Sequence, residues 1–135
     1  LDDLDLKIIE LLRENSRASM KNISEKVHLT APAVKNRLNK LVADKVIKQF
    51  TIITGDDFLK KTKSFVTLFM KTTSHQQLKR FLRNNDKVLS AYQISGEGGY
   101  LINLVYNNQA ELLDFLNKLS VYGTYQVSIS IEKIK

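Results

Sequence analysis

Apolar residues recur on a helical period from the start of the chain. In "LDDLDLKIIELLREN", Leu1, Leu4, Ile8, Leu11 and Leu12 fall on one face, which predicts a first helix. Asp2 is placed to cap it, and Asp5 sits three residues on, near the positive helix end. "SRAS" breaks the period. "MKNISEKV" resumes it with Ile23 and Val27 four apart, a second, shorter helix, and "HL" supplies a tight turn.

The third segment, "LTAPAVKNRLNKL", has a proline near its front and is apolar on one side only. Thr30 can accept a hydrogen bond from a free backbone N–H, and Pro32 is tolerated in a first turn, where no intrahelical donor is lost. At about 100° per residue, Val34, Leu38 and Leu41 make one stripe, with Pro32, Asn36 and Asn39 nearly opposite. Lys35 and Lys40 lie on the flanks, and Arg37 stands closer to the apolar stripe. Three short helices, the last two joined by a very short turn, match a helix-turn-helix whose third helix is presented to DNA.

Beyond it the period changes. "DKVIKQFTIITG" is β-branched and alternating, which predicts a strand leaving the helical unit, and "DDFLKKTK" follows as a polar connection. "SFVTLFMKT" alternates, and "HQQLKRFLRN" is helical with Leu78, Phe81 and Leu82 together. "VLSAYQIS" and "YLINLVY" are strand-like runs around a glycine-rich turn suited to a hairpin. "NQAELLDFLNKL" clusters Leu112, Leu113, Phe115, Leu116 and Leu119, and "YQVSISIEKI" alternates Tyr125, Val127, Ile129 and Ile131 against polar residues. The order β-α-β-β-α-β is that of a ferredoxin-like plait, with both helices on one face of an antiparallel sheet. The other face would carry Phe65, Phe69, Tyr92 and Ile94, and such apolar surface calls for a partner; a symmetric homodimer is the economical solution.

Charge sharpens this picture. Lysine and arginine number 21 against 14 acidic residues, a net +7 and a pI near 9.6, which favours a polyanionic partner. Residues 35–48 concentrate the excess, with Lys35, Arg37, Lys40, Lys45 and Lys48 against Asp44 alone. The candidate DNA contacts are Thr30, Ala31, Pro32, Ala33, Lys35, Asn36, Arg37, Asn39 and Lys40. The lysines would contribute phosphate attraction without sequence discrimination, whereas Asn36 and the small front residues can reach base edges or thymine methyls. Arg37 is placed either for a phosphate or for a structural ion pair with the first helix.

Other chemistry finds little support. There is no cysteine, hence no disulfide framework or thiolate metal site, which fits a reducing compartment. No apolar run approaches a membrane span, and the acidic, amphipathic N-terminus is unlike a signal peptide, so we expect a cytoplasmic protein without membrane association. His28 falls in an interhelical turn and His75 opens a helix; neither has zinc-site spacing. Asp56 and Asp57 are adjacent in the connection and read as turn formers. No phosphate-binding loop, nucleophile elbow or dinucleotide fingerprint occurs. No catalytic residue, metal or cofactor is expected.

The spacing of "LDDLDLKIIELLRENSRAS…ISEKVHLTAPAVKNRLNKL…VIKQF" resembles the opening of the Lrp/AsnC, or feast/famine, family of transcription regulators. The resemblance covers essentially the whole chain. It implies an α+β protein: a winged helix-turn-helix over residues 1–50, a linker strand and connection over 51–63, and a ferredoxin-like regulatory and dimerisation plait over 64–135. It further implies double-stranded DNA as partner, dimers that assemble further, commonly to octamers, and small effectors, typically amino acids. The effector segment maps onto "SGEGGY": Ser95, Gly96, Glu97, Gly98, Gly99 and Tyr100. Many relatives have an aspartate where this chain has Gly99. Lys45 likewise stands where a glycine commonly follows the third helix, so its backbone must take up a cap conformation easier for glycine. Two alternatives are a poorly selective architectural DNA-binding protein and an enzyme on the same scaffold, such as a sirohaem decarboxylase. With only two histidines the chain is ill equipped for the latter.

Overall fold

The computed structural model describes residues 1–55, 59–96 and 99–135 and divides into two compact units, Leu1–Ile53 and Thr54–Lys135. The first contains α1 (Asp3–Glu14), α2 (Met20–Val27) and α3 (Ala31–Ala43). Its core is Ile8, Leu11, Leu12, Ile23, Val27 and Val34, with Leu4, Leu38 and Ile47 packed against it. Ile8 and Val34 are wholly buried, and each such aliphatic side chain contributes about 1.5–3 kcal/mol by leaving water. Leu1, expected on the inner face of α1, is 77% exposed because the helix begins only at Asp3, after the cap.

The second unit contains β1 (Thr62–Met70), α4 (His75–Asn84), β2 (Val88–Gln93), β3 (Tyr100–Tyr106), α5 (Gln109–Leu119) and β4 (Gly123–Ile129). The strands form one antiparallel sheet in the order β2-β3-β1-β4, the ferredoxin-like arrangement expected from the sequence. Strand alternation sends Val66 and Leu68 of β1, and Tyr100, Ile102, Leu104 and Tyr106 of β3, into one core with Leu78 and Leu82 of α4 and Phe115, Leu116 and Leu119 of α5. Phe81 stacks on Phe115 and Tyr122 at centroid distances of 5.5 and 6.2 Å, tying the helices together. Ser64, wholly buried, shares a 2.6 Å hydrogen bond with the Tyr106 hydroxyl, so the polar groups at this end of the core satisfy one another.

Among the described residues of the second unit, no helix covers the opposite sheet face. Register places Phe65 opposite Asn103 and Ser128, and Tyr92 opposite Leu101; Phe65 and Tyr92 are exposed. Three expectations need correction. Leu113 is half exposed, because α5 buries only the Leu112, Phe115, Leu116, Leu119 ridge. Ile131 is fully exposed, because β4 ends at Ile129, where pairing with β1 stops at Ser64. The strand read in "DKVIKQFTIITG" is not formed: after a turn at residues 44–46, residues 48–55 have no regular structure, and Phe50, Ile52 and Ile53 are exposed. A strand needs a neighbour for its backbone hydrogen bonds, and among the described residues this segment pairs with no strand. The expected turn formers Asp56 and Asp57 lie outside the described residues.

Candidate nucleic-acid interface

Local chemistry fixes where α3 begins and ends. The Thr30 hydroxyl accepts from the Ala33 N–H at 3.3 Å, with Pro32 in the first turn as expected. At the other end Lys45 adopts φ +58°, and its N–H donates to the Val42 carbonyl while the Val46 N–H donates to that of Leu41. This pair of bonds is a Schellman closure, made here by lysine in a conformation that glycine enters more easily. The turn before α3 uses the same device: His28, exposed, caps α2 at φ +55°, and the Leu29 N–H donates to the Ser24 carbonyl.

Between these caps, Val34 and Leu41 are buried and hold α3 to its bundle. Pro32, Lys35, Asn36, Asn39 and Lys40 are exposed; Ala31 and Ala33 are half-buried at the front of the helix. Pro32, Lys35, Asn36, Asn39 and Lys40 thus share one accessible strip of α3, with the small residues Ala31 and Ala33 at its front.

Arg37 belongs to a different network. Its Nη1 lies 2.6 Å from Asp2 Oδ2 and 3.0 Å from Asp5 Oδ1, so the guanidinium bridges α3 to the start of α1. Asp2 and Asp5 also accept from each other's backbone N–H groups, which holds both carboxylates at the helix start beside the arginine. The hydrogen bond from Arg37, followed by that from the Asp5 N–H, holds the Asp2 carboxyl below its ordinary range. The two carboxylates in turn raise Arg37 above its ordinary value. Of the two roles open to Arg37, this geometry favours the structural pin.

In the second unit, the expected effector segment falls at the β2–β3 hairpin. Ser95 and Gly96 are exposed, with Gly96 at φ +92°, and Glu97 and Gly98 lie outside the described residues. Gly99 is packed against β1: its N–H donates to the Leu68 carbonyl at 2.8 Å, and a Cβ there would come within 3.2 Å of that same oxygen. Tyr100 is buried, and its hydroxyl is 2.7 Å from His75 Nδ1 at the first residue of α4. The histidine that reads from sequence as a helix opener therefore anchors the end of the hairpin. Lys79 and Arg83, also missed as site residues, share with Tyr100 a cleft beside β2; their four-residue spacing was the only sequence signal.

Comparison with known proteins agrees in both units. Residues 1–42 match the family model described as an AsnC-type helix-turn-helix domain, and residues 63–135 match the Lrp/AsnC ligand binding domain. The chain is 36% identical over 138 residues to the HTH-type transcriptional regulator LrpB of Bacillus subtilis, covering all of this chain and 91% of that one. The solved structure of LrpC from B. subtilis superposes with a TM-score of 0.85 at 27% identity, covering 100% of this chain and 97% of that one. A transcriptional regulator from Neisseria meningitidis, solved as a complex with L-Met, shares the fold with a TM-score of 0.86 at 24% identity, covering 100% and 92%. With both of its units matched in order and along its full length, the chain belongs to the Lrp/AsnC family of DNA-binding transcriptional regulators.

Proposed function

We propose that this regulator binds duplex DNA by laying the strip Pro32, Lys35, Asn36, Asn39 and Lys40 of α3 along a major groove, with Thr30, Ala31 and Ala33 at the entering end. The observation that carries this reading is the two-sidedness of α3. Its apolar ridge is buried and Arg37 is spent on Asp2 and Asp5, which leaves lysines and asparagines for the outer side. Lys35 and Lys40 supply phosphate attraction through counterion release. Asn36 and Asn39 are the side chains able to pair with a base edge, and two asparagines specify little, so recognition relies on DNA deformability as well.

A symmetric dimer presents two such helices about one duplex turn apart. The uncovered sheet face with Phe65 and Tyr92, and the unpaired run through Phe50, Ile52 and Ile53, supply apolar surface for that dimer, and further assembly to octamers is part of the same reading. The second unit acts as the sensor, in keeping with the ligand-binding domain it matches and the L-Met complex of the Neisseria regulator. The protein performs no catalysis, needs no cofactor and works in the cytoplasm; among the described residues, no helix is long and apolar enough to cross a membrane.

Competition binding tests the reading: a duplex enriched from a random pool should outcompete bulk DNA well beyond unity. A ratio near one, with affinity that disappears in moderate salt, would replace the regulator with an architectural protein.

A further inference from the structure

The second unit has a cleft of about 460 Å³ between α4 and the sheet-edge strand β2. Its floor is apolar, from Leu82 and Val88, and Gln93 and Tyr100 close one end. Lys79 and Arg83 line its α4 side, four residues apart on one helix face, a spacing at which like charges repel. Among the described residues neither cation is in an ion pair, and no carboxylate lines the cleft. Two unpaired cations kept side by side above an apolar floor form a receptor for an anion with an apolar body. The end wall is held in place, because the Tyr100 hydroxyl is bonded to His75 of α4.

We propose that this cleft binds a small organic carboxylate that carries no ammonium group, its carboxylate against Lys79 and Arg83 and its apolar body on Leu82 and Val88. The proposal rests on the sensor role of the second unit and narrows its ligand. An α-amino acid would bring its ammonium group beside two cations with no carboxylate to receive it among the described residues lining the cleft, whereas the α-keto acid of the same side chain presents a carboxylate and a neutral carbonyl. The cleft therefore selects keto acids over amino acids of equal size, by a charge repulsion built into its wall.

Isothermal titration calorimetry of the full chain without DNA tests this, using the α-keto acids of leucine and phenylalanine beside the two amino acids. At least one keto acid should bind on the order of tenfold or more tightly than its amino acid. Lys79→Gln and Arg83→Gln should each weaken that binding by on the order of tenfold, and Lys79→Arg should retain it. Circular dichroism checks that the variants fold. Tighter binding of the amino acids, unchanged binding in both glutamine variants, or no heat with either keto acid would each overturn the proposal. So would glutamine variants that lose duplex affinity while keeping keto-acid affinity, which would assign the two cations to DNA. The α3 reading is measured separately, with duplex and α3 variants and without small ligand.

Discussion

Arg37 Nη1 of the third helix lies 3.0 Å from Asp5 Oδ1 of the first, and the same nitrogen reaches Asp2 at 2.6 Å. The ion pair joins the side of α3 next to the buried ridge to the capping box at the start of α1. A cation expected as a candidate DNA contact is thus held against the first helix.

Arg37→Ala should lower the thermal midpoint and weaken duplex binding while leaving the salt slope of binding nearly unchanged, since no phosphate contact is removed. A slope reduced by about one would show that Arg37 meets phosphate after all.

The same pair predicts acid sensitivity. Asp2 is held below its ordinary value by Arg37 and by the Asp5 N–H, and Glu111 below its own by the Asn107 N–H and side-chain amide. For a carboxylate depressed in the folded state, the stabilisation is fully present above its unfolded value and is lost as pH falls through the folded one. Stability should therefore be flat near neutrality and decline below the ordinary carboxylate range. In Arg37→Ala the Asp2 part of that decline should shrink, which urea melts at stepped pH would show.

Ser64 and Tyr106 form a closed buried pair. Tyr106→Phe should cost about 1–3 kcal/mol, because it strands the serine hydroxyl in the core. The double variant Ser64→Ala/Tyr106→Phe should recover part of that loss in denaturant melts; costs that simply add would contradict the coupling.

Lys45 closes α3 at φ +58°. Lys45→Gly should stabilise the first unit by about 0.5–1 kcal/mol in a denaturant melt, since a side chain in the left-handed region is strained. It should also weaken duplex binding slightly through the lost charge; a destabilised variant would mean that the lysine stem packs.

Much of this was legible from residue order. Thr30 and Pro32 marked the start of α3, the Val34–Leu41 stripe its buried side, and alternation in "YLINLVY" the core face of β3. Periodicity identifies a face without saying whether a neighbour covers it, which is why Leu1, Leu113 and Ile131 were assigned inward and stand in solvent. The same limit explains residues 48–55, whose β-branched pattern finds no partner strand among the described residues. Arg37 was ambiguous because its helical angle allowed two partners, and only the placement of Asp2 and Asp5 decides between them. The cleft joins Lys79 and Arg83 to Gln93 and Tyr100 across a helix, a turn and a strand, a juxtaposition that no local pattern encodes.

DNA binding by this chain, as proposed, stands on contact between the exposed side of α3 and duplex phosphate. Its most direct test is the dependence of duplex affinity on salt concentration for the parent chain and for Lys35→Ala/Lys40→Ala. The double variant should bind more weakly, with a log–log slope shallower by about two per helix-turn-helix unit and an unchanged circular dichroism spectrum. Equal affinity and equal slope in a folded double variant would contradict it.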